Sequence, residues 1–182
     1  MQKIPKKLPD RLVEEGLEVV VAKAKDVPEK YIKQIIKKSR EPHVMKFEGH
    51  EDAGGRFKDL PSYKEWAKKE RLVYLLIRKS GKDKSDDVGG IIWFGKRRNE
   101  HVDPLYDLTF GIRLYEGCVG KGLAVPFMKA THEDLKRFYP NQAVWLDFVE
   151  DNIAAKKAYE SFGYEHLIKA EGRMAMGYKI GE

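Results

Sequence analysis

The chain has 182 residues, of which 42% are hydrophobic and 11% aromatic, enough for one domain with a proper core. Its 35 basic and 29 acidic residues leave a formal charge of +6, which suits nucleic acid, anionic lipid or a small phosphate-rich ligand, while the even sprinkling of charge argues against disorder. One cysteine, Cys118, excludes an intrachain disulfide, and no apolar run approaches a membrane span, so a cytoplasmic protein is expected.

In chain order, residues 1–10 carry two prolines and three lysines and read as a loosely held arm. Leu17–Ala24 is a β-rich run. Pro28 then opens a helix on which Tyr31, Ile32, Ile35 and Ile36 recur at helical spacing. His43–Lys58, with two adjacent glycines, reads as a long loop, and Pro61–Lys69 as a short helix. Leu72–Ile77 and Val88–Phe94 are strands about a polar turn at Gly81–Asp87, and Asp107–Tyr115 is a third. Gly120–Phe138 is amphipathic: Ala124, Met128, Thr131, Leu135 and Phe138 step by four and three. Val144–Val149 is apolar through most of its length, as a buried parallel strand is. Ala154, Ala155, Ala158, Tyr159 and Phe162 mark one helix face, and strands near Tyr164–Lys169 and Met174–Ile180 close the chain. This order predicts a mixed α/β domain: a mostly antiparallel sheet of about seven strands flanked by about four helices.

The stretch richest in chemistry is Ile112–Ala124, a strand entering a helix through Gly117, Gly120 and Gly122. Glycines there permit positive φ and close backbone approach, and free N–H groups at the helix start favour an anion. Lys121 adds a full charge. A nucleotide P-loop is excluded because Gly122, not Ser or Thr, follows Lys121. A dinucleotide fingerprint is excluded because Val125 stands where a third glycine is required.

Val119-Gly-Lys-Gly-Leu-Ala124 resembles the pyrophosphate loop of the GNAT superfamily of acetyl-CoA-dependent N-acetyltransferases, whose pattern is Gln/Arg-x-x-Gly-x-Gly/Ala. Val119 departs from it at the first position. Thirty residues beyond Gly122, Asn152-Ile-Ala-Ala-Lys-Lys-Ala-Tyr159-Glu-Ser-Phe-Gly163-Tyr164 resembles the Asn-(six residues)-Tyr-(three residues)-Gly-Phe helix of the same superfamily, with Tyr164 in place of Phe. The two motifs, in order, cover Tyr106 to Tyr164.

The resemblance implies roles. Ile112 and Leu114 would bind the pantetheine arm through their backbone; Val119, Gly120, Lys121, Gly122, Leu123 and Ala124 would hold the pyrophosphate. Asn152 would contact the cofactor or cap its helix. Tyr159 would protonate the departing thiolate after direct attack by the amine in a ternary complex. The acid that relatives place about ten residues before the loop falls on Thr109. Asp107, on the same strand face, is therefore the first candidate for general base, ahead of His101, Asp103 and Glu116. Cys118 reads as a bystander, and the five histidines lack metal spacing.

The expectation is a single acetyltransferase domain using acetyl-CoA and no metal, with a primary amine on a small molecule as acceptor. The alternatives are a protein N-terminal or lysine acetyltransferase, and a catalytically silent CoA-binding module. No aromatic-basic motif supports nucleic-acid binding. By analogy, a homodimer through the terminal strands is conceivable. The acceptor-side segments His43–Lys69 and Lys96–Asp107 carry no motif, although Glu48, Glu51, Asp52, Asp59 and Asp103 lie there.

Overall fold

A computed structural model describes residues 1–47, 56–79 and 86–181. The order is β1 (Gln2–Lys3), α1 (Asp10–Glu14), β2 (Leu17–Lys23), α2 (Glu29–Lys38), α3 (Pro42–Met45), α4 (Leu60–Lys68), β3 (Arg71–Arg78), β4 (Asp87–Lys96), β5 (Leu108–Leu114), α5 (Ala124–Leu135), β6 (Ala143–Val149), α6 (Ile153–Phe162), β7 (Glu165–Ala170) and β8 (Arg173–Lys179). All eight strands join one sheet, ordered β1-β2-β3-β4-β5-β6-β8-β7. Neighbours are antiparallel except β5 and β6, which are parallel because the α5 crossover returns the chain to the same end.

The mixed architecture expected from the sequence is present, with additions at the start. Gln2 and Lys3 pair with Val21 and Val20, and Ile4 is buried, so the first residues dock on the sheet rather than forming a loose arm. Alternation misses them because two residues are too few to show a period. A turn of helix, α3, overlaps the start of the segment read as the His43–Lys58 loop. The rest of that loop at 48–55, with Glu48, Glu51 and Asp52, and the 81–85 part of the Gly81–Asp87 turn lie outside the described residues.

Period-two patterning divides the core between the two sheet faces. Val19, Val21, Tyr74, Leu76, Ile92, Phe94, Phe110, Leu146 and Met176 pack under α1, α5 and α6. Val73, Leu75, Ile77, Ile91 and Trp93 pack under α2, α3 and α4.

One buried group makes the α5 layer sensitive to pH. His132 is held between the Met128 carbonyl (Nδ1, 2.9 Å) and the Tyr164 hydroxyl (Nε2, 2.7 Å). Burial lowers its pKa to about 3. A histidine kept neutral in the fold but free to protonate when unfolded stabilises fully above its unfolded pKa, near 6.5, and loses that stability as pH falls from there toward 3. The expected loss between pH 8 and pH 5 is about 2 kcal/mol. Denaturant melts should show it in the wild type and not in His132→Gln.

Candidate active site

The sheet opens between its two parallel strands. β5 pairs with β4 along its whole length, and β6 pairs with β8 along its own. Between β5 and β6, however, only Leu108↔Val144 and Thr109↔Trp145 meet. Beyond that second rung the strands diverge, with Phe110–Leu114 on one side and Leu146–Val149 on the other. A sheet interior with unpaired backbone demands another partner.

The register shows which groups face the gap. The Tyr115 amide donates to the Gly89 carbonyl at 3.0 Å, and the Arg97 amide to the Asp107 carbonyl at 2.9 Å. Odd-numbered residues of this stretch therefore turn their backbone toward β4. Ile112 and Leu114, by alternation, turn theirs into the gap. The Leu114 carbonyl accepts a hydrogen bond from His43 Nε2 at 2.9 Å, so α3 is pinned to the rim of the opening.

At the top of β5 the chain bends into the glycine turn. Gly117, Gly120 and Gly122 have φ of 83°, 76° and 70°. A Cβ on Gly120 or Gly122 would meet nothing within 4 Å, so backbone conformation, not packing, requires glycine there. The Cys118 and Val119 amides bond back to Tyr115, and the Phe127 amide to Leu123. Among the described residues, no backbone hydrogen bond of good geometry takes the amides of Gly120, Lys121, Gly122, Leu123 or Ala124, and only weak turn contacts run through 119–122. Leu123, at the cap of α5, supplies no side-chain bond. Pro126 falls in the first turn, where an N–H would be unpaired in any case. Val119 is 43% exposed and brings no polar group.

Cations gather beside this turn. Arg78 Nη2 donates to the Gly117 carbonyl at 3.3 Å. Arg78, Lys121 and Arg11 all reach the single Glu15 carboxylate, at 3.8, 3.6 and 3.4 Å. Arg11 also reaches Glu14, at 3.5 Å, and Glu116 lies in the turn itself, so the fit to an anion rests on the turn's backbone amides with Lys121 beside them.

Tyr159, on α6, is buried beside the gap. Its ring meets Phe110 of β5 (centroids 6.2 Å apart) and Phe148 of β6 (5.3 Å). Its phenol makes no hydrogen bond with the described residues. Burial, then the Asp147 charge, raise its pKa well above the ordinary tyrosine value, so it stays protonated. Asn152 caps α6: its Oδ1 accepts from the Ala155 amide at 3.1 Å.

Two carboxylates are placed differently. Asp107 precedes Leu108, on the closed side of the last rungs joining β5 to β6. Its Oδ1 is buried without a partner among the described residues, and its charge acts on Tyr139. Asp147 stands on β6 within the gap, on the sheet face that α2, α3 and α4 cover. Its Oδ2 accepts from Arg173 Nε at 2.8 Å and Nη2 at 2.7 Å. Sequence reading passed over Asp147, although one acid in the run Ala-Val-Trp-Leu-Asp-Phe-Val was a visible signal.

Comparison with solved structures settles the architecture. The ribosomal-protein-S5-alanine acetyltransferase from Vibrio fischeri superposes with a TM-score of 0.65 at 13% identity, covering 92% of this chain and 94% of that one. The chain has the GNAT fold. A second GNAT structure, the Campylobacter jejuni N-acetyltransferase PseH in complex with acetyl coenzyme A, gives 0.54 at 13% identity, covering 88% and 98%. A third, the aminoglycoside N(6')acetyltransferase from Legionella pneumophila, gives 0.63 at 14%, covering 89% and 92%. No protein-family model and no curated protein matches the chain.

Within this GNAT fold, the β5 backbone and Tyr159 border one opening, the glycine turn follows directly from β5, and Asn152 stands at the cap of α6. Asp107 is apart from them. Among the described residues, no group of three His, Cys, Asp or Glu is arranged to hold a metal, and no helix is long and apolar enough to cross a membrane.

Proposed function

We propose that the protein is an acetyl-CoA-dependent N-acetyltransferase acting on a primary amine. The carrying observation is the β5–β6 opening, bordered by unpaired backbone and a protonated buried tyrosine, with the amide-rich glycine turn at the end of β5. The residues fit acetyl-CoA as substrate: the Gly120–Ala124 amides and Lys121 suit its pyrophosphate, and the Ile112 and Leu114 backbone its pantetheine arm. The thioester supplies the activated acetyl group.

The chain's own groups account for the rest. The opening aligns amine and acyl carbon, turning an encounter into a positioned attack. The Leu114 carbonyl is already engaged by His43, so the Leu114 amide is what remains there for the arm. Asp147 faces the acceptor and takes the ammonium proton, directly or through water. Asp107, first choice from the sequence, would have to act from beyond the closed rungs. Tyr159 gives its proton to the sulfur as the carbon–sulfur bond breaks, and the second proton lost by the nitrogen as the amide forms restores the phenol through water.

The test is acetyl transfer from acetyl-CoA over an amine panel. Asp147→Asn should lower kcat/KM about 10²-fold with the acetyl-CoA KM held, and Asp107→Asn by less than about threefold. The reverse ranking would return the base to Asp107. Acetyl-CoA binding without turnover across the panel would leave a CoA-binding module.

A further inference from the structure

Beside the opening, the sheet face that α2, α3 and α4 cover is built from arginines lying on aromatic rings. Arg71 of β3, Gly95 of β4 and Thr109 of β5 are successive cross-strand partners, and Thr109 meets Trp145 of β6 on the last rung before the gap. The Arg71 stem leans over Gly95: a Cβ there would stand 2.9 Å from its Cγ. Its guanidinium stacks on Trp66 at 4.8 Å and donates to the Trp66 carbonyl. Arg97 stacks on Trp145 at 5.4 Å, and its carbonyl holds the indole N–H at 2.8 Å. One row into the opening, Trp93 covers Gly111 so closely that a Cβ there would be 2.1 Å from the ring, and Arg56 stacks on that indole at 5.4 Å.

These guanidiniums are close enough to act on one another. Arg71 is half-buried, and burial together with the Arg56 and Arg97 charges lowers its pKa. Holding like charges near one another costs energy. Stacking on indoles offsets part of that cost and fixes where the donor edges point. Asp147 lies two residues along β6 from Trp145, a separation of roughly 7 Å at about 3.3 Å per residue. The face thus offers a carboxylate, held from one side by Arg173, inside the opening and guanidiniums at its closed end.

We propose that the acceptor is a small anionic amine: its ammonium faces Asp147, and its carboxylate or phosphate is clasped at the closed end by Arg97, on Trp145, and by Arg71, which reaches across from β3. This rests on the reading of the opening as an acyl-transfer site. Guanidinium groups favour either anion because their paired N–H donors match two oxygens. A polyamine or aminoglycoside would be repelled by the same groups.

The experiment uses the full chain with acetyl-CoA and paired acceptors: ω-amino acids from β-alanine to 6-aminohexanoate against their amides, and O-phosphoethanolamine against ethanolamine. The wild type should prefer the anionic member at least about 10-fold, and the carboxylate and phosphate arms identify which anion fits. Arg71→Gln and the more exposed Arg97→Gln should each lower kcat/KM for the anionic member on the order of 10- to 100-fold. The neutral member should change less than about threefold, with melting temperature and acetyl-CoA KM held. Arg71→Lys should recover part of the loss. Equal use of both members, equal losses on both, or turnover confined to peptides or polyamines overturns the proposal. An absence of stabilisation by acetyl-CoA would instead remove the acyl-transfer reading beneath it.

Discussion

Tyr159→Phe is expected to lower kcat by about 10²- to 10⁴-fold, the usual scale for a lost general acid. Stability should hardly change. The ring keeps its contacts with Phe110, Phe148 and Tyr164, and the phenol gives up no hydrogen bond with the described residues. The acetyl-CoA KM should hold as well, because the missing proton is needed only as the thiolate leaves. Tyr159's raised pKa fixes the sign of the pH dependence: the phenol stays protonated throughout the assay range, so it should contribute no decline in wild-type rate below pH 10. Steady-state kinetics beside a melting curve separates the cases. A large fall in melting temperature with an unchanged kcat would make Tyr159 a core residue only.

Gly122→Ala should abolish most of the stabilisation by acetyl-CoA while leaving a folded protein. Ligand at 100 times its dissociation constant adds about 2.7 kcal/mol, a rise of roughly 5–10 °C for a domain of this size. Gly122 holds φ of 70°, and a Cβ there meets nothing within 4 Å. The substitution therefore costs only left-handed backbone strain, about 1 kcal/mol, and places a methyl group where phosphate would approach. Proline would be a poorer probe, since its ring cannot adopt that φ. A thermal-shift titration with acetyl-CoA, with ATP and NAD as controls, checks this. An unshifted wild type would mean that the turn does not hold acetyl-CoA. A variant that shifts as far as wild type would place the pyrophosphate elsewhere.

Local patterns carried most of the architecture. Val144–Val149 read as a buried parallel strand because its apolar run has no polar alternation, and β6 is parallel to β5. The α6 motif read correctly as a helix after a buried strand, since Asn152 caps it and Gly163 ends it in the left-handed region. Residues 120–123 read as helix, yet α5 starts at Ala124. The glycines that make the stretch amide-rich are the ones that keep it out of the helix. The docking of Gln2–Ile4 was not legible, because a two-residue strand is specified by its partner and not by its own period.

The sequence by itself determined the order of elements, the glycine turn and the tyrosine helix, because each depends on residues within a few positions of one another. Only the tertiary structure decided where β5 and β6 part, that Asp147 and not Asp107 stands in the gap, and that Arg71, Arg97 and Arg56 each lie on an indole from another part of the chain. Those facts depend on cross-strand register and on side chains from segments far apart in the chain. The lysines and arginines along the chain look alike in sequence, and the sheet face they share is fixed only when the strands pair.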